Sequence, residues 1–370
     1  MKDCILTING GSSSIKFALY RSQDRLLHGQ IERIGIAGTT LSWNKTERIS
    51  ITAKDLTAAA EYLRTWLEKQ DAFTAVKAIG HRVVYGLQRT GPERITPRLL
   101  EELKKSSLLD PEHMPGEIRL IEVFMKLDLP QIACFDTSFH TDMPAIAKLL
   151  PIPKKYNLQR YGFHGLSYAY LMQELGKDAG DRTILAHLGN GASLAAIKEG
   201  KSVDTTMGFT PTSGLPMSTR TGDLDPGVAW YLMNNEELTP KQFNHLINHE
   251  SGLLGISGIS ADMRELSKHT EGKEAIEFFC YQTRKWIGAY AAVLGGLDTL
   301  VFAGGIGENA AAVREMICEN LEFLGIKLDK NKNANNERLI SSGKTNVYVI
   351  HTNEELMIAK MVADFSFEDQ

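Results

Sequence analysis

The chain carries only four cysteines in 370 residues, Cys4, Cys134, Cys280 and Cys318, and no CxxC pair. Such scatter argues against a disulfide framework or a zinc site and reads as reduced packing residues. A formal net charge of −4 offers no basic surface to nucleic acid or to an acidic membrane. Long apolar runs are lacking too. Ile287–Ile306 comes closest, but Gly288, Gly295, Gly296, Asp298, Thr299, Gly304 and Gly305 interrupt it, whereas a spanning helix needs about 20 apolar residues. The run reads as a helix end at Trp286–Leu294, a turn at Gly295–Gly296 and a buried strand at Thr299–Ala303. No low-complexity segment occurs. The N-terminus enters a strand at once, without a signal-peptide core, so the expectation is a cytoplasmic protein.

What is there is ordinary globular composition, 43% apolar and 23% charged, in a chain long enough for two domains. Two segments stand out, ILTINGGSSSIKFALY at Ile5–Tyr20 and ILAHLGNGASLAAI at Ile184–Ile197. Overlaid without a gap, Leu6 falls on Leu185, Gly10 on Gly189 and Ser14 on Ser193. Each is an apolar strand, a Gly/Ser turn and a second apolar strand. Glycine lets backbone approach a ligand, and successive N–H groups in such a turn form an anion-binding hollow. Single turns of this kind are usually plain hairpins, but a pair placed once per half-chain predicts a duplicated α/β domain with phosphate held between two turns. Strands followed by alternating strands and helices fit that class. The Pro-rich break at Met143–Pro153 marks the seam, giving domains 1–145 (completed by 355–370) and 146–354.

Several further residues are candidates. Asp204–Gly227 is a long polar loop carrying Arg220; Phe209, Met207, Met217 and its prolines argue for an ordered loop of functional character. Asp225 and Pro226 read as a helix cap and first turn. Asp136 ends a strand, where α/β sheets place ligand groups, although capping the next turn serves it equally well. His164 in RYGFHGLS and Arg82 in GHRVVYG are ambiguous alone. Gly305–Ala310 matches G-x-G-x-x-A between strand and helix, suiting a nucleotide phosphate or ribose, but it lies too late in the chain for a first βαβ unit. Gly343–Thr345 resembles the tail of a Walker A loop, but Arg338 occupies the glycine position. His245 and His249 lack an HExxH glutamate and read as a solvated face.

Taken together, Asn9–Ser14, Gly80–Val84, Phe135–His140, Arg160–Gly165, His187–Ser193, Gly208–Pro211 with Met217–Pro226, Phe302–Asn309 and Thr352–Ile358 resemble the acetate/propionate kinase family. They occur in the family's order across nearly the whole chain. The resemblance implies duplicated actin-like ATPase (ribonuclease H-like) domains with an active-site cleft between them. It implies in-line transfer of the ATP γ-phosphoryl group to a short carboxylate, giving acyl phosphate and ADP without a covalent enzyme intermediate. By motif match, Arg82, Asp136, His164 and Arg220 would be catalytic. Arg82 with Val84, Phe163 and Pro211 would hold the acyl substrate. Ser12, Ser14, Lys16, His187, Gly189, Asn190, Gly191, Gly305, Ile306, Gly307 and Asn309 would line ATP or ADP. Asn9 and Glu354, or its neighbour Glu355, would hold Mg²⁺ or Mn²⁺. Acetate, acetyl phosphate, ATP and ADP would be the small-molecule partners, with no nucleic acid or membrane, and a homodimer is implied. The chain departs from the family at Tyr85, where a histidine is usual, and at Ser213, where a glutamate is usual. It departs again at Glu112, which replaces a leucine of the methyl pocket; a buried carboxylate there is costly unless paired.

Overall fold

A computed structural model describes residues 4–11, 13–44 and 46–365. They form two compact units, 1–139 with 353–370, and 140–352.

The first unit is built on an eight-stranded sheet: β1 (Cys4–Gly10), β2 (Ile15–Arg21), β3 (Asp24–Glu32), β4 (Thr40–Trp43), β5 (Glu47–Ser50), β6 (Val76–Val83), β7 (Glu93–Arg94) and β8 (Gln131–Phe135). Their order is β5-β4-β3-β2-β1-β6-β8-β7. β1 runs parallel to β6, and β6 to β8. Helices α1 (Leu56–Leu67), α2 (Pro97–Ser106) and α3 (Met114–Phe124) belong to this unit. Leu56, Ala59, Ala60, Leu63 and Leu67 recur at helical spacing on α1 and are buried with Leu6, Ile8, Phe17, Leu120 and Phe124. Asp55 caps α1 by accepting from the Ala58 N–H.

The second unit has a five-stranded sheet: β9 (Arg182–Leu188), β10 (Ala192–Lys198), β11 (Lys201–Thr205), β12 (Thr299–Ala303) and β13 (Asn346–Val349), in the order β11-β10-β9-β12-β13. Thr299–Ala303 is buried throughout, as a central parallel strand should be. Helix α4 (Gly165–Leu175) precedes the sheet, and α5 (Lys273–Leu294) packs on β9 and β10. Then come α6 (Gly304–Asn309) and α7 (Ala311–Cys318). Helix α8 (Glu354–Ala363) returns to the first unit and packs on β1 and β6. Gly80 makes that packing possible: a Cβ there would lie 2.4 Å from Ile358 Cγ2.

The core of each sheet has one plan. An antiparallel meander (β3-β2-β1 and β11-β10-β9) is followed by two parallel strands (β6-β8 and β12-β13). The gapless overlay of the two turns holds on the first strand and slips on the return. Ile8 pairs with Phe17, whereas His187, its counterpart in the overlay, pairs with Ser193. The second turn both starts one residue earlier in the overlay and is one residue shorter, residues 189–191 against 11–14.

Candidate active site

In both units the candidate side chains gather at the carboxyl ends of the parallel strands, where a sheet of this kind presents ligand groups. In the first unit the register decides who meets whom. Ile8 lies opposite His81, which places Asn9 beside Arg82. Arg82 lies opposite Cys134, and two residues on, on the same face, stands Asp136. The Arg82 guanidinium donates through Nε and Nη2 to Asp136 Oδ2 at 3.0 and 2.6 Å, and through Nη1 to Asn9 Oδ1 at 3.4 Å. Asp136 is fully buried, and the Arg82 side chain is 16% exposed. Burial opposes the guanidinium charge, but Asp136, Glu354 and Glu117 outweigh it and hold Arg82 above its ordinary pKa.

Asn353 caps α8 by accepting from the Leu356 N–H, which leaves Glu354 and Glu355 in the first helical turn, where acidic residues are favoured. Asn9 Nδ2 donates to Glu354 Oε2 at 2.9 Å and to Glu355 Oε1 at 3.2 Å. Among the described residues no group of three or more His, Cys, Asp or Glu is placed to hold a metal ion. The two carboxylates are nevertheless hard oxygen donors of the sparse kind that suits magnesium, which retains most of its waters, while the Asn9 amide meets them through its nitrogen and turns its oxygen to Arg82.

In the second unit the turn Gly189–Gly191 is closed by Gly189 N–H donating to Gly191 O at 3.0 Å. The long loop is pinned to it, for Ser218 N–H donates to Asn190 O at 3.1 Å. That loop has no regular structure between Thr205 and Pro226, yet Met207, Leu215 and Met217 are fully buried in it. Arg220 donates to the Pro211 carbonyl at 3.1 Å. Gly252, at φ +59°, passes beneath the loop where a Cβ would lie 2.1 Å from Met217 O and 2.7 Å from Arg220 O. His164 has φ +59°, a left-handed conformation uncommon outside glycine and worth explaining by function. Its Nδ1 meets Ser193 Oγ at 2.9 Å, and Tyr168 also bonds that oxygen. Its ring stacks on His187, centroids 4.3 Å apart. His187 Nδ1 is held by Ser167 Oγ at 2.8 Å, and Ser167 by Thr352. A Cβ on Gly191 would lie 3.1 Å from His164 Nε2 and 3.8 Å from Arg220 Nη1. Imidazole and guanidinium thus converge on one glycine of that turn.

The neighbouring strand completes this half. Gly304, at φ +75°, abuts Leu188, and a Cβ on Gly189 would come within 3.8 Å of the Gly305 N. Glu308 accepts from the N–H groups of Gly304 and Thr352, both at 3.0 Å.

Over residues 4–360 the sequence matches the acetokinase family. The chain belongs to that family. It is 42% identical to an acetate kinase of Coprothermobacter proteolyticus, covering 96% of this chain and 97% of the relative. It is also 42% identical to a propionate kinase of Citrobacter rodentium, covering 98% and 96%. The solved structure of a propionate kinase from Francisella tularensis superposes with a TM-score of 0.92 at 38% identity, over 97% of this chain and 98% of that one. The paired sheets are therefore the duplicated actin-like ATPase fold of the acetokinases, and ATP and ADP are the family's co-substrates.

Against that family pattern, the first unit brings together Asn9, Arg82, Asp136 and Glu354, and the second brings together His164, His187, Gly189, Asn190, Gly191, Arg220 and Gly305. Val84, Phe163 and Pro211 are buried within their own units. Lys16 pairs with Asn9 across the first hairpin, and Ser14 O closes its turn by accepting from the Gly11 N–H. Ser12 lies outside the described residues. Ile306, Gly307 and Asn309 sit on α6, where Asn309 Nδ2 donates back to Gly305 O and Arg314 supports Gly307 O. Ser213, at the family's glutamate position, accepts from the Gly208 N–H and closes its own loop.

Glu112 is half-buried in the turn that Asp110 caps. The carboxylate that reaches the backbone at Val84 is Glu117, whose Oε2 accepts from the Val84 N–H at 3.0 Å. Sequence reasoning missed Glu117, Glu308 and the buried His140. His140 Nε2 donates to Phe163 O at 3.0 Å and its Nδ1 accepts from Ser202, holding the His164 loop from below. Burial keeps His140 neutral, its pKa lowered to about 4. Glu308 had a signal inside the Gly305–Ala310 motif and His140 at the end of Phe135–His140; Glu117 had none.

Proposed function

We propose that this protein transfers the γ-phosphoryl group of ATP to acetate, reversibly and in line, giving acetyl phosphate and ADP. The observation that carries this reading is the convergence of His164 Nε2 and Arg220 on Gly191 in the second unit. A phosphoryl group in flight carries charge on its equatorial oxygens, so catalysis is positioning and charge neutralisation. Tyr168 donating to Ser193, and Ser193 in turn to His164 Nδ1, is the arrangement that leaves an N–H on Nε2, the nitrogen facing Gly191. Arg220 supplies the planar fork that matches phosphoryl oxygens. Arg82, oriented by Asp136, takes the substrate carboxylate and the transferring group. The Gly189–Gly191 turn with His187 and Gly305–Asn309 holds the nucleotide, as do Ser12, Ser14 and Lys16. Asn9 and Glu354 would hold Mg²⁺, directly or through water, and the ion would supply neutralisation of phosphate charge.

The family resemblance assigns the acyl chain to Val84 of the first unit and to Phe163 and Pro211 of the second, and valine, rather than a smaller residue, favours acetate. Propionate is the second reading, supported by the equal identity to the Citrobacter rodentium propionate kinase; one methylene is worth only about 1–3 kcal/mol of discrimination. Four free, buried cysteines suit a reducing compartment, so we assign the protein to the cytoplasm, and the family resemblance to a homodimer. The test is Mg-ATP with acetate, propionate, butyrate or no acid, trapping acyl phosphate as hydroxamate while following ADP. Acid-dependent hydroxamate with the highest kcat/KM for acetate is expected. ADP release without hydroxamate, indifferent to any acid, would sink the kinase reading.

A further inference from the structure

Glu117 is a carboxylic acid in the floor of the first unit, 3% exposed. Oε2 accepts from the Val84 N–H, whereas Oε1 is buried without a hydrogen-bond partner among the described residues. Buried polar atoms are nearly always satisfied, and an unpaired carboxylate oxygen is costly in its charged form. The group sits on α3, and the cation acting on it most strongly is Arg82, set against the like charges of Asp110 and Asp136. Lys104 of α2 pairs with Glu122 and Glu61 of α1 with Lys126; on β6, His81 is bonded to Gln131 and kept neutral by burial, and His113 before α3 is held by Asp110. α1 meets the start of α3 through the apolar Leu56 beside Gly116.

We propose that Glu117 is a positioning residue for the acyl half of the site: neutral, it ties α3 to the end of β6 and leaves Arg82 open to a carboxylate; ionised, it competes for that guanidinium. This rests on the kinase reading above. Arg82 already faces Asp136 and Glu354, and a third negative charge in a poorly solvated place weakens its hold on an incoming anion. A proton on Oε1 removes that charge while Oε2 keeps the Val84 N–H. Burial supports the neutral form, raising the Glu117 pKa from 4.5 to about 8 against the opposing pull of Arg82.

The experiment compares wild type with Glu117→Gln and Glu117→Ala between pH 6 and 9, reading KM for acetate, kcat, and the Tm of the free protein. Wild-type KM for acetate should climb about tenfold as pH rises through about 8, with KM for ATP little changed. E117Q, a neutral mimic of the protonated acid, should keep the low KM and lose the alkaline rise. E117A should have a raised KM at every pH, rescued in the Gln variant. An alkaline rise in E117Q as steep as in wild type overturns the proposal. The Tm readout separates the two readings. A folded-state pKa above the unfolded one means that the acid's contribution to stability is complete below 4.5 and is lost as pH rises toward 8. Wild-type Tm should therefore fall relative to E117Q across that window, whatever the substrate. A pH-independent difference sinks the proposal alone, whereas absence of hydroxamate from wild type sinks the kinase reading.

Discussion

The two units repeat one sheet and arm it differently. In the first, the arginine at the strand end is fixed by a buried carboxylate, Asp136, with Glu354 and Glu117 nearby. In the second, Arg220 stands on a loop and is held by the Pro211 carbonyl, while the end of β9 and the turn before α4 each supply a hydroxyl-anchored imidazole. A carboxylate-held arginine is both structural and functional: it is oriented before substrate arrives, and its loss leaves a buried charge behind. A carbonyl-held arginine can be removed with little left unsatisfied. On the proposed function, one duplicated scaffold would divide acceptor binding, which needs orientation, from phosphoryl stabilisation, which needs undiminished positive charge.

The sharpest way to break this comparison is to delete each arginine in turn. Arg82→Ala should abolish measurable turnover and also lower stability by about 3–5 kcal/mol, because the buried Asp136 carboxylate would lose the guanidinium that neutralises it. Urea unfolding checks this, and Arg82→Ala combined with Asp136→Asn should recover part of the loss. If R82A unfolds at the wild-type urea midpoint, Asp136 is not held by Arg82 in the way described. Arg220→Ala should cut kcat by about 10²–10³-fold, the scale for losing one charge-stabilising donor. Calorimetry should find ADP affinity nearly intact, and the urea midpoint should stay close to wild type. Equal losses of turnover, affinity and stability in R220A would erase the difference between the two arginines.

Much of this arrangement was legible because the relevant signals are local. The turns, the strand ending at Asp136, the Asp225 cap and the buried run Thr299–Ala303 each announce themselves within a few residues, by glycine, by apolar runs or by cap chemistry. What sequence could not carry is what depends on register and packing. The return-strand slip between the two hairpins needs loop length in space. Glu117 lies on a helix whose neighbours suggest only a buried face, and nothing in its own segment says that the Val84 amide waits opposite. Glu112, two residues after the capping Asp110, was the suspicious acid by alignment to the family pattern, yet the turn keeps it half-exposed. His140 reads as the end of a motif and proves to be a neutral strut beneath Phe163.

The finest difference lies within one helical turn. Glu354 and Glu355 both accept from Asn9 Nδ2, but their other neighbours differ. Glu354 acts on the charge of Arg82, whereas Glu355 acts on Tyr20, at the meander side of the sheet. A cation shared with the transferring phosphates belongs on the Arg82 side. Glu354→Gln should therefore weaken Mn²⁺ binding, read by electron paramagnetic resonance in the presence of ADP, by about 10–100-fold, the range seen when a metal site loses part of its support. Glu355→Gln should weaken it by less than about threefold, since the neutral side chain still accepts from Asn9 and magnesium-type ions need few protein oxygens. The reverse ranking would move the metal to Glu355 and away from Arg82, and equal losses would mean that the two carboxylates hold it jointly through Asn9.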